Sequence, residues 1–216
     1  MKRIIVLAAT IFVTLNIFAQ NEGNIKKETF DNNAFRWEEF ADKKLGTVLI
    51  QDGYLTLNAK KSTLSSKTNF PIDITRDFKL TYKFLVPVLD KKTVFGLTFD
   101  SFEDEGGQVQ VGFYVSEGKY ALKPYNIPFE IYVPLLSVGL CEGKIPLKKG
   151  KNQNVVLSME RRGETLIFSV NNMTVCEEAA AAPVLLQTSK FGVAFASSGK
   201  STLLVDEIII EQADEE

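Results

Sequence analysis

Histidine is absent from the 216-residue sequence. This absence excludes Ser-His-Asp and Cys-His nucleophile systems, zinc sites with histidine ligands and histidine general bases. An enzyme built on this sequence would have to use carboxylates, lysine, tyrosine or a bound ion.

Cysteine is scarce, since Cys141 and Cys176 are the two cysteines of the chain. They do not form a CxxC pair, so a metal site made from them is weakly supported. A domain of this size does not require a cross-link, and buried free thiols are common. The sequence therefore leaves open whether the two cysteines form a disulfide.

Neither sign of charge dominates, because 25 lysine and arginine residues stand against 27 aspartate and glutamate residues. The basic residues occur as scattered pairs near turns, such as Lys60 and Lys61. Nucleic acids and anionic membranes are bound by concentrated lysine and arginine. We therefore expect neither of them as a partner.

A long hydrophobic run occurs at the N-terminus, over residues 4–18, after the basic Lys2 and Arg3. It is shorter than the ~20 residues that cross a bilayer as a helix, and Ala19 supplies the small residue that signal peptidase requires. We interpret residues 1–19 as a signal peptide cleaved between Ala19 and Gln20, with an uncleaved anchor as the alternative. Residues 20–216 are then one domain, secreted or periplasmic, with no membrane span after cleavage.

The rest of the chain shows the two-residue period of β-strands. Apolar and polar residues alternate over residues 78–84 and again over residues 165–170. Turn sequences such as Asp52-Gly53 separate about a dozen such runs, which predicts an all-β fold, a two-sheet antiparallel β-sandwich. The segment EEAAAA at residues 177–182 predicts only a helical turn or a loop, because six residues are too few for a stable helix and Pro183 follows them.

Several segments match a known pattern in their order along the chain. They are the opening ETFDNNAFRWEEF and VLIQDGYLTLNA, the central DITRDFKLTYKFLV, and the closing MERRGETLIFSVNNMTV and FGVAFASSGKSTLLVDEIIIE. Together they resemble the concanavalin A-like jelly-roll domains of secreted bacterial proteins. The resemblance covers essentially all of residues 20–216 and implies a jelly roll with Trp37 in the core. Such folds include lectins, glucanases, keto-disaccharide hydrolases, laminin G-like modules and accessory domains, so the resemblance does not specify the function.

The catalytic motif of jelly-roll glucanases, E-x-D-x-x-E on one strand, does not occur in the sequence. That motif places two carboxylates across the scissile bond. The nearest acidic cluster covers residues 100–107, where Asp100 and Glu103 lack the alternation of a pair on one strand. We interpret this cluster as the solvated tip of a hairpin.

Strand parity predicts one sheet face that could bind a ligand, if the strands concerned are neighbours, as the resemblance implies. That face would carry Thr81, Lys83, Thr98, Asp100, Gln110, Tyr114, Lys123 and Tyr125. Aromatic rings stack on the C–H faces of sugars while polar groups bind the hydroxyls. In jelly-roll lectins and glucanases this is the concave binding face. A polar solvent face with stray tyrosines is the alternative.

From this face we predict a set of ligand-binding residues: Lys83, Asp100, Gln110, Tyr114, Lys123 and Tyr125. The proline-rich segment 124–134 could add a wall to the site, with Tyr132 as a contact. We favour the alternative, in which this segment caps the core with Phe129 and Ile131.

A calcium site is a further expectation. Asp206 interrupts the apolar face that Leu204 and Ile208 form in the last strand, and a buried carboxylate needs a partner or a metal. In sugar-binding jelly rolls the matching aspartate helps to hold a structural calcium with groups of the first strand, here near Asp31. Calcium requires six or more oxygens, and the sequence offers only these two carboxylates. We favour a hydrogen bond from a backbone or hydroxyl donor to Asp206.

These observations favour an exported, non-catalytic carbohydrate-binding domain whose partner is a glycan or oligosaccharide. A divergent glycan hydrolase or lyase that uses Asp100 or another carboxylate on the same face is one alternative. The other is an interaction module that docks onto another protein of the cell envelope. The sequence specifies neither the sugar nor the oligomeric state.

Overall fold

The computed structural model describes residues 24–104, 107–125, 141–179 and 181–212. The predicted signal peptide lies outside these ranges, as does most of the proline-rich segment 124–134 with Tyr132, Phe129 and Ile131. Within the described ranges, no helix has the length and apolar character needed to cross a membrane.

The larger of two antiparallel sheets has nine strands. Its main path is β13 (Met173–Glu178), β12 (Thr165–Val170), β11 (Gly150–Arg162), β6 (Phe78–Leu89), β15 (Lys200–Gln212), β4 (Tyr54–Lys60), β3 (Gly46–Gln51) and β2 (Phe40–Asp42). The ninth strand, β1 (Asn24–Glu28), pairs with the second half of β15, whereas β4 pairs with its first half.

The smaller sheet has six strands. Their order is β10 (Glu142–Lys144), β9 (Lys119–Tyr125), β8 (Gly107–Ser116), β7 (Thr93–Asp104), β14 (Lys190–Ser197) and β5 (Thr63–Asn69). All pairings in both sheets are antiparallel. The predicted two-sheet antiparallel β-sandwich is therefore confirmed.

The apolar side of each strand faces the space between the sheets. In β6 buried and half-buried residues alternate from Phe78 to Val86. Phe168 of the larger sheet packs against two rings of the smaller sheet, Phe113 at 5.1 Å and Phe99 at 6.4 Å between ring centroids. Burial of a phenylalanine side chain contributes about 1.5–3 kcal/mol, so these contacts hold the two sheets face to face.

Trp37 also lies in this core and is 2% exposed. Its ring centroid is 5.9 Å from that of Phe30 and 5.9 Å from that of Phe70. The core position expected for the single tryptophan is confirmed.

Left-handed backbone conformations close the predicted hairpins. Asp52 and Gly53, with φ of 53° and 75°, join β3 to β4. Asn171 and Asn172, with φ of 49° and 64°, join β12 to β13. Asp, Asn and Gly adopt these conformations at the lowest cost, which is why the turn predictions were reliable at these positions.

The helical prediction was displaced along the chain. Glu177 and Glu178 belong to β13, and the short helix α1 is Ala182–Leu185. Pro183 lies in its first turn, where a missing backbone N–H removes no helical hydrogen bond. The proline therefore begins a helix here and does not end one.

Cys141 and Cys176 form a disulfide. Cys176 lies in β13 at an edge of the larger sheet, and Cys141 immediately precedes β10 at an edge of the smaller sheet. Tyr120 donates a hydrogen bond of 2.6 Å from its hydroxyl to the carbonyl oxygen of Val175 at the same edge. The sandwich is therefore cross-linked at one edge.

Candidate functional site

The outer face of the smaller sheet, here called the six-strand face, aligns outward side chains in rows. Strand pairing places Thr63, Ala196 and Val94 in one row, and Ser65, Ala194, Gly96, Tyr114 and Ala121 in the next. The third row is Lys67, Gly192, Thr98, Gly112 and Lys123, and the fourth contains Asp100, Gln110 and Tyr125. Five of the predicted face residues thus share one face, and Tyr125 is in register with them by its backbone.

The centre of the six-strand face is a floor of small residues. Ala194 and three glycines occupy neighbouring positions on β14, β7 and β8. A Cβ at Gly96 would lie 2.0 Å from the carbonyl oxygen of Phe113, so this position accepts no side chain. The outer surface of the sheet is therefore recessed at these small residues, between the larger side chains of β5 on one side and those of β8 and β9 on the other.

Tyr114 lies across the floor because Gly112 leaves room for its ring. A Cβ at Gly112 would lie 2.2 Å from Cζ of Tyr114. The ammonium of Lys123 is 5.9 Å from the centroid of the same ring, within the range of a cation–π contact. Tyr114 is 6% exposed, so only part of its ring is open to a ligand.

A pocket of about 220 Å³ opens on this face beside the Tyr114 ring. Its lining residues are Thr63, Val94, Tyr114, Lys123, Ala194, Phe195 and Ala196. Pockets that hold drug-sized molecules measure roughly 300–1,000 Å³, so the pocket is sized for a smaller group such as one sugar ring. Its apolar floor with a hydroxyl, an ammonium and a ring at the rim matches the chemistry of a sugar.

Asp100 is fully buried, at 0% exposure, which corrects its interpretation as part of a solvated hairpin tip. Its Oδ1 atom accepts a hydrogen bond of 2.8 Å from Lys67 Nζ and one of 3.3 Å from Gln110 Nε2. The Gln110 amide also donates to Thr98 Oγ1 at 3.3 Å. The Oδ2 atom of Asp100 is buried and has no hydrogen-bond partner within the described part of the chain. An ion pair between a buried aspartate and a partly exposed lysine is therefore built into the six-strand face.

On the strands of the six-strand face, the carboxylates whose side chains the structure describes are too widely spaced for a glycosidase pair. Among the described outward side chains, the only carboxylate besides Asp100 is Glu142, in register with Ala121 on the edge strand β10. Three inter-strand spacings separate β10 from β7, which is about 14 Å. Retaining and inverting glycosidases hold their carboxyl groups about 5–5.5 Å and about 6.5–9.5 Å apart.

Lys83 does not belong to this face, and the expectation that it does was wrong. β6 pairs with β11 and β15, whereas β7 pairs with β8 and β14, so the turn at residues 90–92 passes from one sheet to the other. Thr81 and Lys83 therefore lie on the larger sheet. The Lys83 ammonium binds the carboxylate of Glu207, which also lies 3.7 Å from Lys27 Nζ.

The side chain of Tyr125, like the candidate contact Tyr132, lies outside the described part of the structure. The backbone of Tyr125 pairs with Gln110, at the buried end of the six-strand face.

The two residues predicted to bind calcium are both exposed. Asp206 is exposed, because a β-bulge between Val205 and Glu207 turns it away from the core. Asp31 is exposed and accepts a hydrogen bond of 2.7 Å from the Thr29 hydroxyl. Within the described ranges, neither belongs to a group of three or more carboxylate or thiol side chains that could surround an ion.

A groove of about 530 Å³ lies at the β5 edge of the six-strand face, and the sequence interpretation missed it. Three cationic side chains border the groove, those of Arg36, Lys67 and Lys190. The carboxylate side chain of Glu38 borders it as well. These residues are separated by up to 154 positions — too far apart for any local pattern — and only strand pairing brings them together.

The chain resembles known proteins in its fold. No family model and no curated protein sequence matches the chain. The β-glucanase of Bacillus licheniformis superposes with a TM-score of 0.57 at 10% identity, over 88% of this chain and 99% of the glucanase. The fold is the concanavalin A-like jelly roll.

Two further structures share this jelly roll. One was reported with endo-acting O-glycanases that prominent members of the human gut microbiota express to initiate mucin breakdown, at a TM-score of 0.60 and 13% identity over 88% of this chain and 99% of that one. The other is the carbohydrate recognition domain of Emp47p, at a TM-score of 0.52 and 10% identity over 82% of this chain and 89% of that one. At these identities the likeness concerns the jelly roll alone.

Proposed function

We propose that the protein is an exported, non-catalytic glycan-binding domain and that one sugar ring binds in the pocket of the six-strand face. The observation that carries the proposal is the combination of a small-residue floor with the Tyr114 ring at its border. A flat apolar surface beside hydroxyl and ammonium groups is the arrangement that binds a pyranose. The three jelly-roll neighbours include two glycan-cleaving proteins and a carbohydrate recognition domain, which supports the ligand class.

The non-catalytic part of the proposal is supported by the spacing of carboxylates. Asp100 is buried and bound to Lys67, and about 14 Å separate the strands that carry Asp100 and Glu142. On the strands of the six-strand face the described carboxylates are thus farther apart than a glycosidase pair, and the sequence has no histidine to act as a base. The domain therefore binds its glycan and leaves it intact.

The test is a glycan-array screen of the chain from Gln20 onward, followed by calorimetry on the best ligand. Ala196→Gln places a longer side chain in the pocket and removes no existing contact, since Ala196 points outward on β14. We expect the variant to bind at least about tenfold more weakly, a loss of about 1.4 kcal/mol. The matched control is Ala41→Gln on β2 of the other sheet, where the alanine is exposed. It should bind as the wild type does.

Three outcomes would contradict the proposal. If no neutral, acidic or host-type glycan binds, glycan recognition is wrong and docking onto an envelope protein takes its place. If Ala196→Gln binds as tightly as the wild type, the pocket is not the site. If the bound glycan is cleaved and Asp100→Asn abolishes the cleavage, the non-catalytic part is wrong.

A further inference from the structure

The groove at the β5 edge is positively charged although the chain has a formal charge of −2. Lys67 is paired with Asp100 at 2.8 Å, and Lys190 lies 3.7 Å from Glu38, whose side chain is 59% exposed. Arg36 is exposed and forms no ion pair with a described residue. An exposed pair such as Lys190 and Glu38 is weak, so an incoming anion can replace Glu38 as the partner of Lys190.

The loop that carries Arg36 is held rigidly. Glu28, at 3% exposure, accepts backbone hydrogen bonds from Phe30 at 3.0 Å and Phe35 at 3.3 Å. Asn33 accepts a hydrogen bond of 2.6 Å from the backbone N–H of Trp37 and donates one of 3.0 Å to its carbonyl. The guanidinium of Arg36 therefore starts from a fixed point beside the groove.

Arg36 itself has a left-handed backbone, with φ of 57°. Residues with a Cβ adopt this conformation rarely, and glycine or asparagine would occupy the position at a lower cost. Such strain concentrates at functional sites, where the side chain is needed in that place. Arg36, at this strained position, is thus the one cation of the groove that has no ion-pair partner among the described residues.

The groove and the sugar pocket lie on the same strand, within reach of one ligand. Thr63 lines the pocket and Lys67 lines the groove, four residues apart on β5, which is about 14 Å in an extended strand. A ligand that occupies both is an oligosaccharide and not a single sugar. Arginine and lysine bind carboxylate and sulfate oxygens through charge-assisted hydrogen bonds.

We propose that the groove bordered by Arg36, Lys67 and Lys190 binds the carboxylate or sulfate group of an acidic sugar, in an oligosaccharide whose neutral ring occupies the pocket of the six-strand face. This inference rests on the proposed glycan-binding function and names its ligand class as acidic glycans.

The test uses the chain from Gln20 onward and matched triplets of oligosaccharides, each with the same backbone in neutral, carboxylated and sulfated form. Of the carboxylated and the sulfated member, we expect the one with the higher affinity to bind at least about tenfold more tightly than the neutral member. This difference in affinity should be lost at high salt. The difference between the carboxylated and the sulfated member identifies the anion. The double variant Arg36→Asn and Lys190→Gln should bind all three members with the affinity of the neutral one.

The controls separate this inference from the proposed function. Asparagine accepts the left-handed backbone at position 36, so the double variant should keep the wild-type melting temperature. Lys149→Gln removes an exposed lysine from the loop before β11, and this variant should keep the preference for the acidic members. Ala196→Gln should weaken the binding of all three members.

Equal binding of neutral and acidic members by the wild type would overturn the inference and leave glycan binding intact. An acidic preference that survives the double variant, or that Lys149→Gln reduces equally, would also overturn it. Failure of every member to bind would overturn the proposed function and this inference together.

Discussion

Glu207 illustrates how a single residue links the stability of this sandwich to pH. The hydrogen bond from Lys83 is the main reason that the pKa of Glu207 lies below its ordinary value, and the charge of Lys27 acts in the same direction. The folded protein therefore holds the proton of Glu207 less tightly than the unfolded chain does. Such a group stabilises the fold above its unfolded pKa, and this contribution is lost as the pH falls through the folded pKa.

We expect Glu207→Gln to reduce the acid sensitivity of the fold. Between about pH 6 and about pH 3 the melting temperature of the wild type should fall, and the fall should be smaller in the variant. At pH 7 the variant should lose at most about 1 kcal/mol, because Lys83 is 43% exposed and water screens the pair. Thermal unfolding followed by circular dichroism across this range measures both effects.

A neighbouring glutamate supplies the control for this experiment. Glu211→Gln removes a carboxylate four residues further along β15 and leaves the pair of Glu207 with Lys83 in place, so it shows the effect of removing a carboxylate from this strand without that pair. Some acid sensitivity should remain in Glu207→Gln, because hydrogen bonds also lower the pKa values of Asp42 and Asp73. An unchanged pH dependence in Glu207→Gln would show that the pair with Lys83 does not form in solution.

Asp100 shows where prediction from single residues ends. Its outward orientation follows from the alternation in β7 and was predicted correctly, as was that of Tyr114 and Lys123. Its burial was not predictable, because the partner Lys67 lies 33 residues earlier and comes from β5, two strands away. Local sequence specifies the face on which a side chain lies. The neighbours that decide its solvation come from the order of the strands.

At the scale of elements, hairpins were predictable and the division into sheets was not. Turn residues such as Asp52 and Asn171 mark where a strand reverses, because few residues adopt their backbone conformation. The turn at residues 90–92 reverses the chain in the same way but passes from one sheet to the other. Both kinds of turn join strands with the same alternation, so the sequence placed Lys83 on the wrong sheet.

The disulfide is the strongest single link between the edge strands of the two sheets. It closes a loop of 35 residues between Cys141 and Cys176. In the chain-entropy model a loop of this length corresponds to roughly 3–4 kcal/mol of stability. We expect the double variant Cys141→Ala and Cys176→Ala to lose about this amount in denaturant unfolding, with the cooperative transition retained.

Reduction supplies the control for the disulfide. A reducing agent should destabilise the wild type by about the same amount and should leave the alanine double variant unchanged. If the double variant unfolds at the denaturant concentration of the oxidised wild type, the cross-link contributes nothing to the stability of the sandwich.

At the scale of the whole molecule, the two outer faces differ in character. The described outer face of the larger sheet carries ion pairs, with Glu207 held between Lys27 and Lys83. The six-strand face carries a floor of small residues, a pocket and a cationic groove. The six-strand face also contains ion pairs, Lys67 with Asp100 and Lys190 with Glu38, but it offers a pocket and a groove to a ligand in addition. This difference between the faces is the reason that we propose the smaller sheet as the glycan-binding one.

The signal peptide predicted at residues 1–19 and the observed disulfide indicate the same oxidising compartment. We expect a bacterium that expresses the full chain to place in its periplasm a product that begins at Gln20 and contains the oxidised disulfide. Intact-mass measurement with and without thiol alkylation tests both points.

A chain expressed without residues 2–19 should remain in the cytosol with two free thiols. Its melting temperature should be lower by roughly 6–16 °C, the shift that 3–4 kcal/mol produces in a domain of this size. A full-length product retained in the membrane fraction would instead establish residues 4–18 as an anchor, and an oxidised cytosolic product would remove the link between the disulfide and export.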